Sequence, residues 1–296
     1  MVRRVLGLTS GRIAVAVLAL IALLAVFGPL LAPQDPLATS DNALAGISGA
    51  HWLGTDNLGR DELSRLLDGS RVSVLGSLEV AVTALVVGAV PGILSVYLGR
   101  VFEWVTLRLA DTLVALPFLL FAVAVIALLG NGLSQAMLVT GILVSPLFYR
   151  VSRAATLNVA RSQYVEAAIV SGASVGWIVR RHVRSKVLPP IAVAFAQTVG
   201  TGFVIVSSLT FLGIGVQPPE PTWGGLLASD LGYLGQKPWA PLAPALLVMA
   251  TVWAGNLLAD ALRDVSGEAG RALLGARRAR AHRSAPTDPA PAGGVS

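Results

Sequence analysis

Few side chains in this 296-residue chain have the type and spacing to do chemistry. His51, His182 and His282 are far apart, and none falls in a metal-ligand spacing. There is no cysteine, which excludes disulfides, thiolate metal sites and cysteine nucleophiles. No phosphate-cradling glycine loop occurs, and neither Gly213-Ile214-Gly215 nor Gly130-Asn131-Gly132 continues into a dinucleotide fingerprint. A Gly-x-Ser-x-Gly nucleophile elbow is also missing. The sequence therefore predicts no catalytic residue, no metal site and no cofactor bound by this chain.

Two carboxylates remain. Glu79 lies well inside an apolar run, where an ionisable group marks a translocation path, a helix pairing or a contact with a partner chain. Asp111 stands at the start of a later run, where a carboxylate suits a helix N-terminus, and capping is the expected role. Two such groups are too few for a proton relay. A solute moved uphill would then draw its energy from a nucleotide-hydrolysing partner; a gradient-driven carrier or channel is the alternative.

A partner needs a place to dock, and Gln163–Pro190 is the longest polar, basic insertion between apolar runs. Ser162 is a candidate N-cap, and Gln163 to Val170 has strong helix formers at its centre. Val165, Ala168 and Ile169 share one face, while small Ala167 and Ala168 permit close approach of a second protein. Gly172 fits the turn that ends such a helix, since glycine takes left-handed angles at low cost. A second helix, about Val175 to Arg184, would lead back to Pro189-Pro190. Helix, glycine turn and helix make a compact knob; an amphipathic loop lying on the membrane is the competing reading.

The elements that carry this knob are membrane spans. Hydrophobic residues make up 54% of the chain, charged residues 13%, and the mean hydropathy is +0.73. Soluble domains are about 25% charged. Six apolar segments are expected to cross a bilayer: 13–31, 72–98, 109–129, 135–149, 187–212 and 241–262. The first is longer than the roughly 7–15-residue core of a signal peptide and lacks a small-residue cleavage site, so it reads as an anchor. Between the first two spans, Thr55 or Asp56 is the expected cap of a short amphipathic helix.

An even number of spans puts both termini on one side. With the N-terminus cytoplasmic, only Arg60, Arg65, Arg71 and Lys237 of the 22 lysines and arginines fall outside, and Gln163–Pro190 faces the cytoplasm. The net charge of +6 is then an orientation signal rather than a nucleic-acid footprint. The chain divides into 1–71 (cytoplasmic N-terminus, first span and external loop), 72–265 (the remaining spans) and 266–296, a basic and Pro/Ala-rich tail expected to be unstructured.

EAAIVSG (166–172) resembles the EAA loop of permease subunits of bacterial ABC importers. HWLGTDNLGRDELSRLLDGSRVSV, RLADTLVALPFLL, VLPP and SLTFLGIGVQPPEPTWGGLLASD are similar to successive signatures of the peptide/nickel group of these permeases, in order, over about 51–264. They match the subunit with an extra N-terminal region. The resemblance implies an all-α integral membrane protein with the type I importer transmembrane domain and a cytoplasmic coupling helix, in a bacterial inner membrane. It also implies a second permease subunit as heterodimer partner, two cytoplasmic ATPases that bind the ATP, and an extracytoplasmic solute-binding lipoprotein. By position, Glu166 would make the charged contact with the ATPase beside Tyr164, Ala167 and Ala168 would pack, and Gly172 would turn the chain. The implied cargo is a di- or oligopeptide or a related small solute. Two departures stand out: Arg184-Ser185-Lys186 replaces the family's usual Leu-Pro, and Glu79 falls where an apolar residue is expected.

Overall fold

A 33-residue helix, Glu62–Leu94, is the axis around which the rest of the chain packs. The computed structural model describes residues 2–130 and 132–283. Its helices are α1 (Val2–Val5), α2 (Thr9–Leu31), α3 (Glu62–Leu94), α4 (Arg100–Ala115), α5 (Phe118–Leu129) and α6 (Leu133–Ala160). They are followed by α7 (Gln163–Val170), α8 (Val175–Ile178), α9 (Arg184–Phe211), α10 (Trp223–Leu231) and α11 (Leu242–Arg283). Among the described residues there is no strand, only one isolated bridge between Thr55 and Asp61.

Among the described residues four helices are long and apolar enough to cross a membrane: α2, α3, α9 and the 242–267 part of α11. A fifth crossing is possible if α4 and α5 count together, although the pair bends by 100°. The uninterrupted span expected over 109–129 is thus broken, because Pro117 opens the next helix and bars a helical conformation at Leu116. The short fourth segment, 135–149, belongs to a 28-residue helix that passes Pro146 and runs on to Ala160. Polar Gln135, Thr140, Ser145 and Arg150 dilute its apolar run.

At about 1.5 Å per residue α3 is about 50 Å long, longer than the hydrocarbon layer of about 30 Å. It starts ten residues before the expected span, and neither Thr55 nor Asp56 caps it. Asp61 does, its carboxylate accepting from the Ser64 backbone N–H at 2.9 Å and the Ser64 hydroxyl at 2.6 Å. Thr55 and Asp56 instead fold the preceding loop: Ala45 N–H donates to the Thr55 hydroxyl, and Asp56 accepts from Leu58 N–H, Arg60 N–H and Arg60 Nε.

Helix α6 packs along α3 more closely than any other element does. Glycine makes this approach possible, since a β-carbon at Gly88 would collide with the Ser145 carbonyl oxygen and the Phe148 side chain. Val80, Met137, Val139, Leu143 and Val206 fill the shared core with Ala122 and Ile126 of α5. Asp111 does not cap a helix: it lies eleven residues into α4 and pairs with Arg150 of α6 at 2.9 Å. Glu103 of α4 pairs with Arg153 one turn further on.

Three contacts fix which ends lie together. Ser70 near the start of α3 donates to Leu24 O near the end of α2 at 2.7 Å. Val5 is buried against Ala261 and Val265 of α11. Ile93 at the far end of α3 and Tyr97 just beyond it pack against the cluster that holds Val165 of α7. The N-terminus, α7 and the 261–265 part of α11 therefore share one side, and the 32–61 loop occupies the other. The last helix continues to Arg283 through part of the tail expected to be unstructured. Its Ala, Leu and Arg content favours helix there. Residues 284–296 lie outside the described residues.

Candidate coupling site

The site starts where α6 ends. Arg161 N–H closes the last turn on Leu157 O at 3.1 Å, and two residues later α7 begins. Ser162 opens α7 through its carbonyl, which accepts from Val165 and Glu166 N–H at 2.9 and 3.1 Å. Its hydroxyl is not the cap the sequence suggests, because it donates backward to Val159 O.

Helix α7 has eight residues, about two turns, too short to persist alone in water. Tertiary packing holds it. Val165 is 1% exposed and sits among Val159, Ile178, Val183 and Val187, with Ala168 and Ala173 against the same cluster. The anchoring face therefore holds Val165 and Ala168 together; the Ile169 side chain lies outside the described residues. The opposite face carries Glu166, Ala167 and Val170, all exposed, with Val170 at 89%, and Tyr164, also exposed, stands at the edge, one turn before Ala168. An apolar residue that open, beside a carboxylate and a phenol, makes a mixed surface suited to burial against another protein.

Gly172 ends the helix at φ +82°, and nothing lies within 4 Å of the position a β-carbon would take. Ala173 N–H reaches back to Ala168 O at 3.0 Å, which is a Schellman closure with Gly172 in the left-handed position. The glycine is required by backbone angle alone, not by crowding.

The return path differs from the sequence expectation. Instead of one helix over 175–184, the chain makes α8, a five-residue π-helical turn (Val179–Val183), and then α9 without a break. Arg184-Ser185-Lys186 opens α9, and Pro189-Pro190 lies inside it. Beside the knob an open cavity of about 510 Å³ is lined by Asn158, Tyr164, Lys186 and Pro190.

Of the site residues read from sequence, Tyr164, Glu166, Ala167, Ala168 and Gly172 fall on this one knob. Glu79 does not join them. It is half-buried on an α3 stripe with exposed Leu75, Leu78, Val82 and Val86, about 21 Å along the helix from Ile93. The α4–α6 ion pairs that brace the same side were missed, because Arg150 and Arg153 carry no local signal beyond an orientation charge.

Residues 84–268 match the family of binding-protein-dependent transport system inner membrane components. The chain belongs to this family. It is similar to the dipeptide transport system permease protein DppC of Alkalihalophilus pseudofirmus, 33% identical over 243 residues, covering 82% of this chain and 80% of that protein. It is 36% identical to the glutathione transport system permease protein GsiD of Pectobacterium atrosepticum over 76% of this chain and 74% of the relative. It is also 36% identical to the di/tripeptide permease DppC of Pseudomonas aeruginosa, over 83% of each. As a member, the chain is the non-catalytic, multi-pass inner-membrane subunit of an ABC importer that works with ATPase and solute-binding partners.

Proposed function

We propose that the chain carries half of the translocation path for di- or oligopeptides or a closely related solute, and that α7 is the coupling helix that docks on a partner ATPase. The observation that carries the docking reading is the split character of α7: Val165 is anchored in its own subunit while Tyr164, Glu166, Ala167 and Val170 stand exposed. The peptide reading is supported by relatives whose names specify dipeptide, di/tripeptide and glutathione transport. Glu166 makes the charged contact with the ATPase, Ala167 allows close approach, and Gly172 sets the angle of the knob; Ala168, expected from the sequence on the docking side, packs inward with Val165 instead. ATP is bound by the partner subunits, and this chain carries no cofactor.

In this reading six spans cross the membrane: α2, α3, the bent α4–α5 pair, α6, α9 and the first part of α11. The lysine and arginine bias puts the α7 side in the cytoplasm together with both termini. A second, different permease completes the path, and Glu79 faces that subunit or the path rather than lipid, where an isolated carboxylate is costly. A lipoprotein delivers the solute from outside. Closure of the ATPase pair draws the two knobs together and turns the cavity outward; hydrolysis resets it inward.

Affinity purification of the intact complex tests this reading. Co-purified ATPase subunits, with peptide uptake that needs ATP, are expected. Uptake driven by a proton gradient alone, with no ATPase attached, would replace it with a gradient-driven carrier.

A further inference from the structure

Helix α9 buries one side and leaves the other open. Its buried side carries Gly202 beside the Ser77 carbonyl of α3, Gly200 beside the Val252 carbonyl of α11, and Phe203 against Trp223 with ring centroids 5.4 Å apart. The open side carries Gln197, Thr201 and Val204, all exposed, with Ser208 half-buried below them. These positions are spaced four, three and four residues apart, so they form one stripe turned away from α3 and α11.

The stripe is at membrane depth. Counting from Arg184, Gln197 is about 20 Å and Thr201 about 25 Å into the helix, well within a span that must cross about 30 Å of hydrocarbon. Two of the three polar side chains are satisfied by their own helix: the Thr201 hydroxyl donates to Gln197 O at 3.2 Å, and the Ser208 hydroxyl to Val204 O at 2.8 Å. Gln197 is different. Among the described residues its carboxamide, two donors and an acceptor, makes no hydrogen bond within the chain. Lipid offers no partner for such a group, so this face meets water or polar matter.

We propose that the Gln197–Ser208 stripe lines the translocation path and that the Gln197 carboxamide is a specificity-determining contact for the main-chain amides of a passing peptide. The proposal rests on the peptide-permease reading and adds the residue that would recognise the cargo. A carboxamide presents the same donor and acceptor pair as a peptide bond, so it can pair with any backbone whatever its side chains. That suits a carrier of peptides of many sequences. Thr201 and Ser208 keep the stripe wettable without competing for the cargo.

The chain has no cysteine, so in the assembled transporter a single-cysteine variant carries one thiol on this subunit, and labelling is read on this subunit after it is separated from its partners. Gln197→Cys and Thr201→Cys are compared with Leu20→Cys, at an exposed position on α2, using a charged, membrane-impermeant methanethiosulfonate on intact cells and on inverted vesicles. Positions 197 and 201 are expected to react much faster than 20. In parallel, uptake of trialanine and trilysine is measured for wild type, Gln197→Leu and Gln197→Glu. Gln197→Leu should raise KM for both peptides, and Gln197→Glu should shift the ratio several-fold toward trilysine. Labelling at 197 no faster than at 20 would overturn the path-lining claim. Unchanged selectivity in Gln197→Glu would overturn the recognition claim. A wild type that takes up neither peptide would sink the peptide-permease reading and peptide recognition with it, while the labelling rates would still decide whether the stripe lines the path.

Discussion

The indole Nε1 of Trp223 donates to the carbonyl oxygen of Leu66 at 3.0 Å, tying α10 to the axial helix α3 across more than half of the sequence. The Trp223 backbone N–H donates to Ser73 Oγ, also at 3.0 Å, and the ring is fully buried against Phe203 and Leu66. Helix α10 is nine residues long and holds its place through this side chain.

Trp223→Phe removes the indole donor and leaves part of its volume empty. It should destabilise the subunit by about 1–3 kcal/mol. Thermal unfolding of the detergent-solubilised complex, read beside wild type, checks this; an unchanged melting temperature would deny Trp223 a structural role.

Gly88→Ala puts a methyl group against the Ser145 carbonyl and Phe148, so α3 and α6 must separate. Overpacking of this kind costs about 1–3 kcal/mol. Less mature protein in the membrane is expected, whereas Gly172→Ala, with open space around it, should fold and act through backbone angle alone. Equal membrane levels for Gly88→Ala and wild type would contradict the close packing.

Asp230 of α10 is buried beside Glu62, and burial holds its carboxyl above the ordinary aspartate range. A folded-state pKa raised above the unfolded value means that the folded protein holds the proton longer. That stability is present at low pH and is lost as pH rises through the folded value. Asp230→Asn, which cannot ionise, should flatten the fall of melting temperature with rising pH. A variant with the same pH slope as wild type would show that Asp230 does not titrate in that range.

Local signals explain what was legible in the sequence. The α7 helix, the face shared by Val165 and Ala168 and the Gly172 stop are all written within ten residues, but that this face packs inward and takes Ala168 with it depends on Val159, Ile178, Val183 and Val187. The apolar runs likewise mark α2, α3, α9 and α11. What was not legible depends on distant partners. Asp111 reads as a cap until Arg150, thirty-nine residues away, arrives beside it. Thr55 looks like a helix cap because its true partners, Asn42, Ala45 and the Lys237 ammonium on its carbonyl, have no sequence mark, whereas Asp56 is taken up within its own turn by Leu58 and Arg60. The break at Pro117 is marked by a proline, but the apolar run continues through it, so 109–129 read as one span where the chain bends by 100°. Gln197 was passed over because a lone glutamine in an apolar run is distinguished only by which face of the helix stays open.

We propose that α7 transmits ATP hydrolysis to the membrane path. The direct measurement is ATPase rate and peptide uptake, side by side, for the reconstituted transporter carrying Glu166→Lys or Gly172→Val. Both variants should reach the membrane and assemble their spans, because Glu166 is exposed and Gly172 has free space around it. With coupling through α7, uptake should collapse and the ATPase should no longer respond to loaded binding protein. Wild-type uptake with either substitution would contradict it.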